Sequence, residues 1–139
     1  MPNKVFVDTA AWIAVLNSRD AYHSSARQVM DRLRQQKVSL ITTEFVLLEV
    51  ADALSNPPVR SQTVNFVDSL LQLLQVPALQ IVPISRSLWL EGWTLYKQRA
   101  DKEWGLTDCT SFVVMMQEQI NQAFTSDRHF GQAGFVNLL

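Results

Sequence analysis

Short apolar runs of strand length alternate with longer stretches of helical periodicity along this chain, and that alternation restricts the fold more than any other feature. Lys4-Val5-Phe6-Val7 is a β-branched run that stops at Asp8 and reads as a buried strand. A short helix is expected from about Ala10 to Asn17. An amphipathic one follows from Ala21 to about Gln36, with Ala26, Val29, Met30 and Leu33 on one face. Val38 to Thr42 forms a second strand, and Thr43 is placed to cap a helix running to about Leu54, stopped by Asn56-Pro57-Pro58. Another helix spans roughly Arg60 to Gln75, and Pro77 separates it from a third strand at Gln80 to Pro83. Ser85 caps a helix carrying Leu88, Trp89, Gly92, Leu95 and Tyr96. Thr107 caps the next, in which Val113, Val114, Met115 and Met116 form a buried run. Gln122 to Thr125 and Phe135 to Leu138 complete a set of five strands.

Strands separated by helices pair in parallel through crossovers, so the expected fold is a three-layer α/β/α sandwich with helices on both faces of a parallel sheet. With 139 residues, 47% of them hydrophobic and 18% charged, the chain is expected to be one globular domain over residues 1–139. No apolar run approaches the ~20 residues of a membrane helix. The apolar stretch after Lys4 is too short for a signal-peptide core, so a cytoplasmic location is expected. One cysteine excludes an internal disulfide and a multi-cysteine zinc site, and two histidines exclude a histidine-rich one. Any metal is therefore expected on oxygen ligands, which favours Mg²⁺ or Mn²⁺. The net charge of −1 lacks the basic excess common among nucleic-acid binders, although twelve basic residues can still cluster on one face.

In open parallel sheets, ligands bind beyond the carboxyl ends of the strands, at the point where strand order reverses. Four acids fall where that rule directs attention: Asp8 after the first strand, Glu49 in the helix after the second, Asp108 in the first turn of the helix leading into the fourth, and Asp127 just beyond the fourth. Packed carboxylates repel one another unless a cation compensates, and a divalent ion can bridge phosphate oxygens and acidify water. Each acid also has a plainer role. Asp8 and Asp127 can cap helices, and Asp108 can complement a helix dipole. Glu49 sits among Val46, Leu47, Leu48, Val50, Ala51 and Ala53, where a carboxylate is seldom buried without a partner, so a functional role is favoured there.

The segments around these acids run Val5-Phe6-Val7-Asp8-Thr9-Ala10-Ala11-Trp12, Thr43-Glu44-Phe45-Val46-Leu47-Leu48-Glu49-Val50, Asp101-Lys102-Glu103-Trp104-Gly105-Leu106-Thr107-Asp108-Cys109-Thr110-Ser111-Phe112 and Thr125-Ser126-Asp127-Arg128-His129-Phe130. In their order and spacing they resemble the PIN-domain family, and within it the VapC-like toxins of bacterial toxin–antitoxin pairs. The resemblance implies a metal site of Asp8, Glu49, Asp108 and Asp127, with Thr9 and Thr125 or Ser126 as supporting hydroxyls. It also implies Mg²⁺- or Mn²⁺-dependent endonucleolytic cleavage of RNA, leaving 5′-phosphate and 3′-hydroxyl ends. A homodimer and a cognate antitoxin lying along the site are further implications.

Asp101 and Glu103 read as a solvated, mixed-charge helix end outside the metal site. Lys97, Arg99, Lys102 and Arg128 read chiefly as solvated charge, with phosphate contact as their functional alternative. A structural role is favoured for His129, a core or dimer-interface position for Trp89 and Trp93, and simple packing for Cys109. An aspartyl-phosphate hydrolase would want a second acid two residues after Asp8, where Ala10 stands, and a phospho-receiver domain would want an acidic pair before it. The rival from another class is a PIN-like module kept for protein binding. Retention of all four acids argues against it.

Overall fold

The computed structural model of the chain describes residues 4–72 and 78–139. Five strands, β1 (Lys4–Val7), β2 (Ser39–Thr43), β3 (Leu79–Val82), β4 (Gln122–Phe124) and β5 (Val136–Asn137), form one sheet in the order β3-β2-β1-β4-β5. Every pair is parallel, with Phe6 opposite Ile41 on one side and Ala123 on the other. Val5, Phe6 and Val7 are all fully buried, so β1 is covered on both faces, as a parallel sheet sandwiched between helices requires. The expected three-layer α/β/α architecture is what the chain adopts.

Among the described residues seven helices connect and cover the strands: α1 (Thr9–Leu16), α2 (His23–Gln35), α3 (Glu44–Ala53), α4 (Pro57–Gln72), α5 (Arg86–Gln98), α6 (Leu106–Gln117) and α7 (Arg128–Gln132). Thr43 and Ser85 cap as expected, their hydroxyls accepting from Val46 N at 3.0 Å and Leu88 N at 3.1 Å. Three local expectations are corrected. Helix α4 starts at Pro57 rather than Arg60, because proline's fixed φ and missing N–H suit the first positions of a helix. Gly105, not Thr107, is the N-cap residue of α6. Met115 is buried as expected, but Met116 is largely exposed, since α6 turns only one stripe inward. The expected end of α4 at Gln75, and Pro77 after it, lie outside the described residues. Among the described residues, no helix is long and apolar enough to cross a membrane.

Two contacts fix the framework around the sheet's reversal point. The Trp12 indole N–H donates to Thr42 Oγ1 at 3.2 Å, and that hydroxyl donates to Val7 O at 2.8 Å, tying α1 to the ends of β1 and β2. Helices α5 and α6 meet at Gly92, where an added Cβ would stand 2.5 Å from Thr110 Cγ2. Thr110 has little room to give, because its hydroxyl donates to Thr107 O at 2.7 Å and its side chain is fully buried. Gly92→Ala should therefore destabilise the fold by about 1–3 kcal/mol despite alanine's better helix propensity. Thr110→Ser, which removes the clashing methyl and keeps the hydroxyl, should recover most of that loss in chemical denaturation of the double variant.

Candidate metal centre

Strand order reverses between β1 and β4, and the segments leaving these two neighbours carry Asp8 and Thr125-Ser126-Asp127. Asp8 occupies the N-cap position of α1, but its side chain makes no capping bond, so the plainer reading of this residue fails. It is instead almost wholly buried, with Oδ2 accepting from the Thr125 hydroxyl at 2.9 Å. Thr125 Oγ1 in turn accepts from Asp127 N at 3.0 Å, which links the ends of both strands through one hydroxyl. Burial pushes the Asp8 carboxyl up to about 7, with smaller additions from the charges of Asp108 and Asp127. The Thr9 backbone N–H and the Thr125 hydroxyl hold it partly down. Beside it, Thr9 Oγ1 is buried without a hydrogen-bond partner among the described residues.

Asp108 stands in the first turn of α6, where Oδ2 accepts from Gly105 N at 3.1 Å. Asp127 caps α7, its Oδ1 accepting from His129 N at 2.9 Å. The plain structural roles of these two acids are thus real, and they coexist with a cluster that neither role requires. His129 Nδ1 lies 3.0 Å from Asp108 Oδ2 and 3.4 Å from Asp127 Oδ1. One donor atom each from Asp108, Asp127 and His129 falls within 4.8 Å of the others. Burial raises the Asp108 carboxyl, Asp127 adds to the shift, and the hydrogen bonds from His129 and Gly105 oppose it.

Three of the four expected acids, Asp8, Asp108 and Asp127, are therefore close enough to feel one another's charge. Glu49 is placed differently. Helix α3 buries Val46, Leu47 and Val50 but leaves Leu48 and Glu49 exposed, so this helix is not apolar all round and burial is no argument for Glu49. Of the hydroxyls, Thr125 makes the bond to Asp8, while Ser126 is half-buried beside it. His129, read from the sequence as structural, is brought into the cluster by the Asp127 cap at the start of α7. The available signal was a histidine two residues after a capping aspartate, a position that returns its ring toward the cap. Cys109 is packed as expected: burial, aided by Asp108, pushes its thiol up to about 11, far from a reactive thiolate.

The donor set suits a hard divalent cation. Two or three carboxylates compressed at one sheet edge, one of them held near neutrality by burial, are what a bound cation would relieve. His129 can serve as a further ligand or as the partner that orients Asp108. Carboxylate oxygens suit Mg²⁺ and Mn²⁺ alike, so the acids are the primary donors and His129 the secondary one.

This sheet order and this acidic edge define a nuclease-like α/β domain. The PIN domain family matches residues 5–136, and the chain belongs to it. The 23S rRNA-specific endonuclease VapC20 of Mycobacterium tuberculosis is 29% identical over 135 residues, spanning 96% of this chain and 97% of that protein. The crystal structure of the same VapC20, described as a sarcin–ricin loop cleaving toxin, aligns with a TM-score of 0.80 at 28% identity over 95% of this chain and 96% of that one. At the level of fold alone, VapBC2 from Rickettsia felis aligns with a TM-score of 0.69 at 14% identity, covering 96% of each chain.

Proposed function

We propose that this chain is a divalent-metal-dependent endoribonuclease that hydrolyses RNA phosphodiester bonds, acting as the toxin of a toxin–antitoxin pair. The observation that carries this reading is the convergence of Asp8, Asp108 and Asp127 at the strand-order reversal, with burial holding Asp8 up to about 7. Asp8, Asp108 and Asp127 would hold Mg²⁺ or Mn²⁺, with Glu49 joining from the exposed face of α3 and Thr9, Thr125 and Ser126 supporting. Such an ion would neutralise charge on the phosphate and make water a better nucleophile near pH 7. The chain's own residues do the positioning. Thr125 fixes the Asp8 carboxylate, and Asp108 Oδ2 is held by Gly105 N–H and by His129 Nδ1 at 3.0 Å. A cognate antitoxin belongs to the same reading, supported by the toxin description of the 28%-identical relative, and a homodimer and a cytoplasmic location complete the proposal.

The test is cleavage of 23S rRNA by the wild type, Asp108→Asn and Glu49→Gln, with Mg²⁺, Mn²⁺ or EDTA. Asp108→Asn should lose more than the roughly 10–100-fold that removal of an outer partner of a metal ligand costs. Glu49→Gln should lose activity while its metal-free stability stays within about 0.5 kcal/mol, as for other exposed positions. Products should carry 5′-phosphates. Cleavage that survives EDTA, or that Asp108→Asn retains in full, overturns the reading. A wild type that binds metal yet cleaves no RNA returns weight to a protein-binding module.

A further inference from the structure

A hollow of about 420 Å³ opens between the C-terminal half of α5, the 99–104 segment and the start of α6. Trp93, Tyr96, Lys97, Lys102, Trp104 and Cys109 line it, and Cys109 is the chain neighbour of Asp108, so one wall adjoins the acidic cluster. Along α5, the rings of Trp89, Trp93 and Tyr96 form a ladder one helical stripe wide. Trp89 and Trp93 lie 6.2 Å apart at 5°, and Trp93 and Tyr96 lie 5.4 Å apart at 11°. Of the two sequence-based placements of Trp89 and Trp93, core or dimer interface, the core one is corrected here. Leu88 and Gly92 take the inward face of α5, and the ladder stays about two-fifths exposed, at 41%, 39% and 44%.

The cations around the hollow divide into two kinds. Arg99 is spent on the fold: it grips Asp101 at 3.0 and 3.1 Å, and its guanidinium lies 4.9 Å from the Trp104 ring centroid. Lys97 and Lys102 have no ion-pair partner among the described residues, and Glu103, the one acid lining the hollow among them, lies 3.9 Å from Arg128 instead. Exposed parallel rings beside two free ammonium groups match a single-stranded nucleotide, whose base stacks and whose phosphate pairs. An apolar partner seated here would cover those lysines without supplying an anion, whereas an RNA strand brings one phosphate with every base.

We propose that this hollow is a nucleotide subsite, taking an unpaired base of the RNA next to the scissile phosphate on Trp93 and Tyr96 and the adjoining phosphates on Lys97 and Lys102. The proposal rests on the ribonuclease reading and is tested apart from it. Binding of a fluorescein-labelled single-stranded oligoribonucleotide is measured in EDTA by anisotropy, with cleavage in Mn²⁺ as a separate readout. Trp93→Ala should weaken binding roughly 5- to 150-fold, the range for one lost stacking contact, and Trp93→Phe should retain most of the affinity. Lys97→Ala with Lys102→Ala should lower the slope of log affinity against log salt by about 2. Trp93 is about two-fifths exposed, Lys97 exposed and Lys102 half-buried, so the fold of each variant is checked by circular dichroism. Wild-type affinity in Trp93→Ala, with cleavage intact, overturns the subsite and leaves the nuclease. Trp93-dependent binding without any cleavage keeps the subsite and overturns the nuclease. Conversion of a dimer to a monomer by Trp93→Ala in sedimentation, at unchanged RNA affinity, gives the ladder to a second copy and overturns the subsite.

Discussion

Asp8→Asn should raise the melting temperature of the metal-free protein while abolishing RNA cleavage. The folded Asp8 carboxyl sits at about 7 against 3.8 for the free group, so the native state binds its proton more tightly than the unfolded chain does. The associated stability is complete below about pH 4 and is lost as the pH rises toward 7. Above that, the folded protein carries a buried, uncompensated anion. At 1.36 kcal/mol per unit the ceiling on this penalty is on the order of 4 kcal/mol. Asparagine can still accept from the Thr125 hydroxyl, but its amide N–H groups enter a buried position, so a net gain of about 2 kcal/mol is expected. Thermal melts in EDTA should show the variant and wild type nearly equal at pH 4 and separated at pH 8. Added Mn²⁺ should then stabilise the wild type and leave the variant unmoved. A gap that does not change with pH would sink the assignment of burial as the cause.

That cause is only half legible in the sequence, which offers repulsion among packed carboxylates but not the burial of Asp8. In the folded protein burial is the larger cause and the neighbouring acids the smaller. What could be read was local or periodic. Val5-Phe6-Val7 announces a central strand because parallel strands bury consecutive residues. Thr43 and Ser85 announce helix starts because capping depends on a few neighbouring atoms. Pro57 and Pro58 could be read two ways, since the residues that stop one helix are also suited to begin the next. Contacts between distant segments could not be read at all. Thr125 meets Asp8 across 117 positions and His129 meets Asp108 across 21, and neither distance leaves a periodic trace. Hydrophobicity picks out the inward stripe of α2, but not that of a helix with apolar residues on several sides, such as α3 or α5. The sequence favours an inward-facing Glu49 and core or dimer-interface positions for Trp89 and Trp93; their helices turn other faces inward, which removes the buried reading of all three.

Phe130→Ala should cost about 3–5 kcal/mol, a large share of a domain's net stability, and should loosen the candidate metal site with it. Phe130 is fully buried at the start of α7, edge-on to Phe112 at 4.9 Å and tilted against Phe6 at 6.3 Å. Phe112 also meets Trp104 edge-on at 4.9 Å. The spacing of these rings along the chain matters. Phe6 precedes Asp8 by two residues, Phe112 follows Asp108 by four, and Phe130 follows Asp127 by three. Each acid of the cluster is thus tethered, within about one turn, to a ring of the same aromatic contact. The hydrophobic effect acting on the rings supplies the force that keeps three repelling carboxylates together before any cation arrives. Phe130→Leu, which keeps an apolar side chain in the gap, should cost less and leave the Asp127 turn in place. At a temperature where all three proteins are folded, calorimetric titration with Mn²⁺ should find affinity in the order wild type, Phe130→Leu, Phe130→Ala. The fall at alanine should reach roughly the 10–100-fold typical of losing support behind a ligand. Equal Mn²⁺ affinity in wild type and Phe130→Ala would mean that the caps at Gly105 and Asp127 hold the acids without the rings.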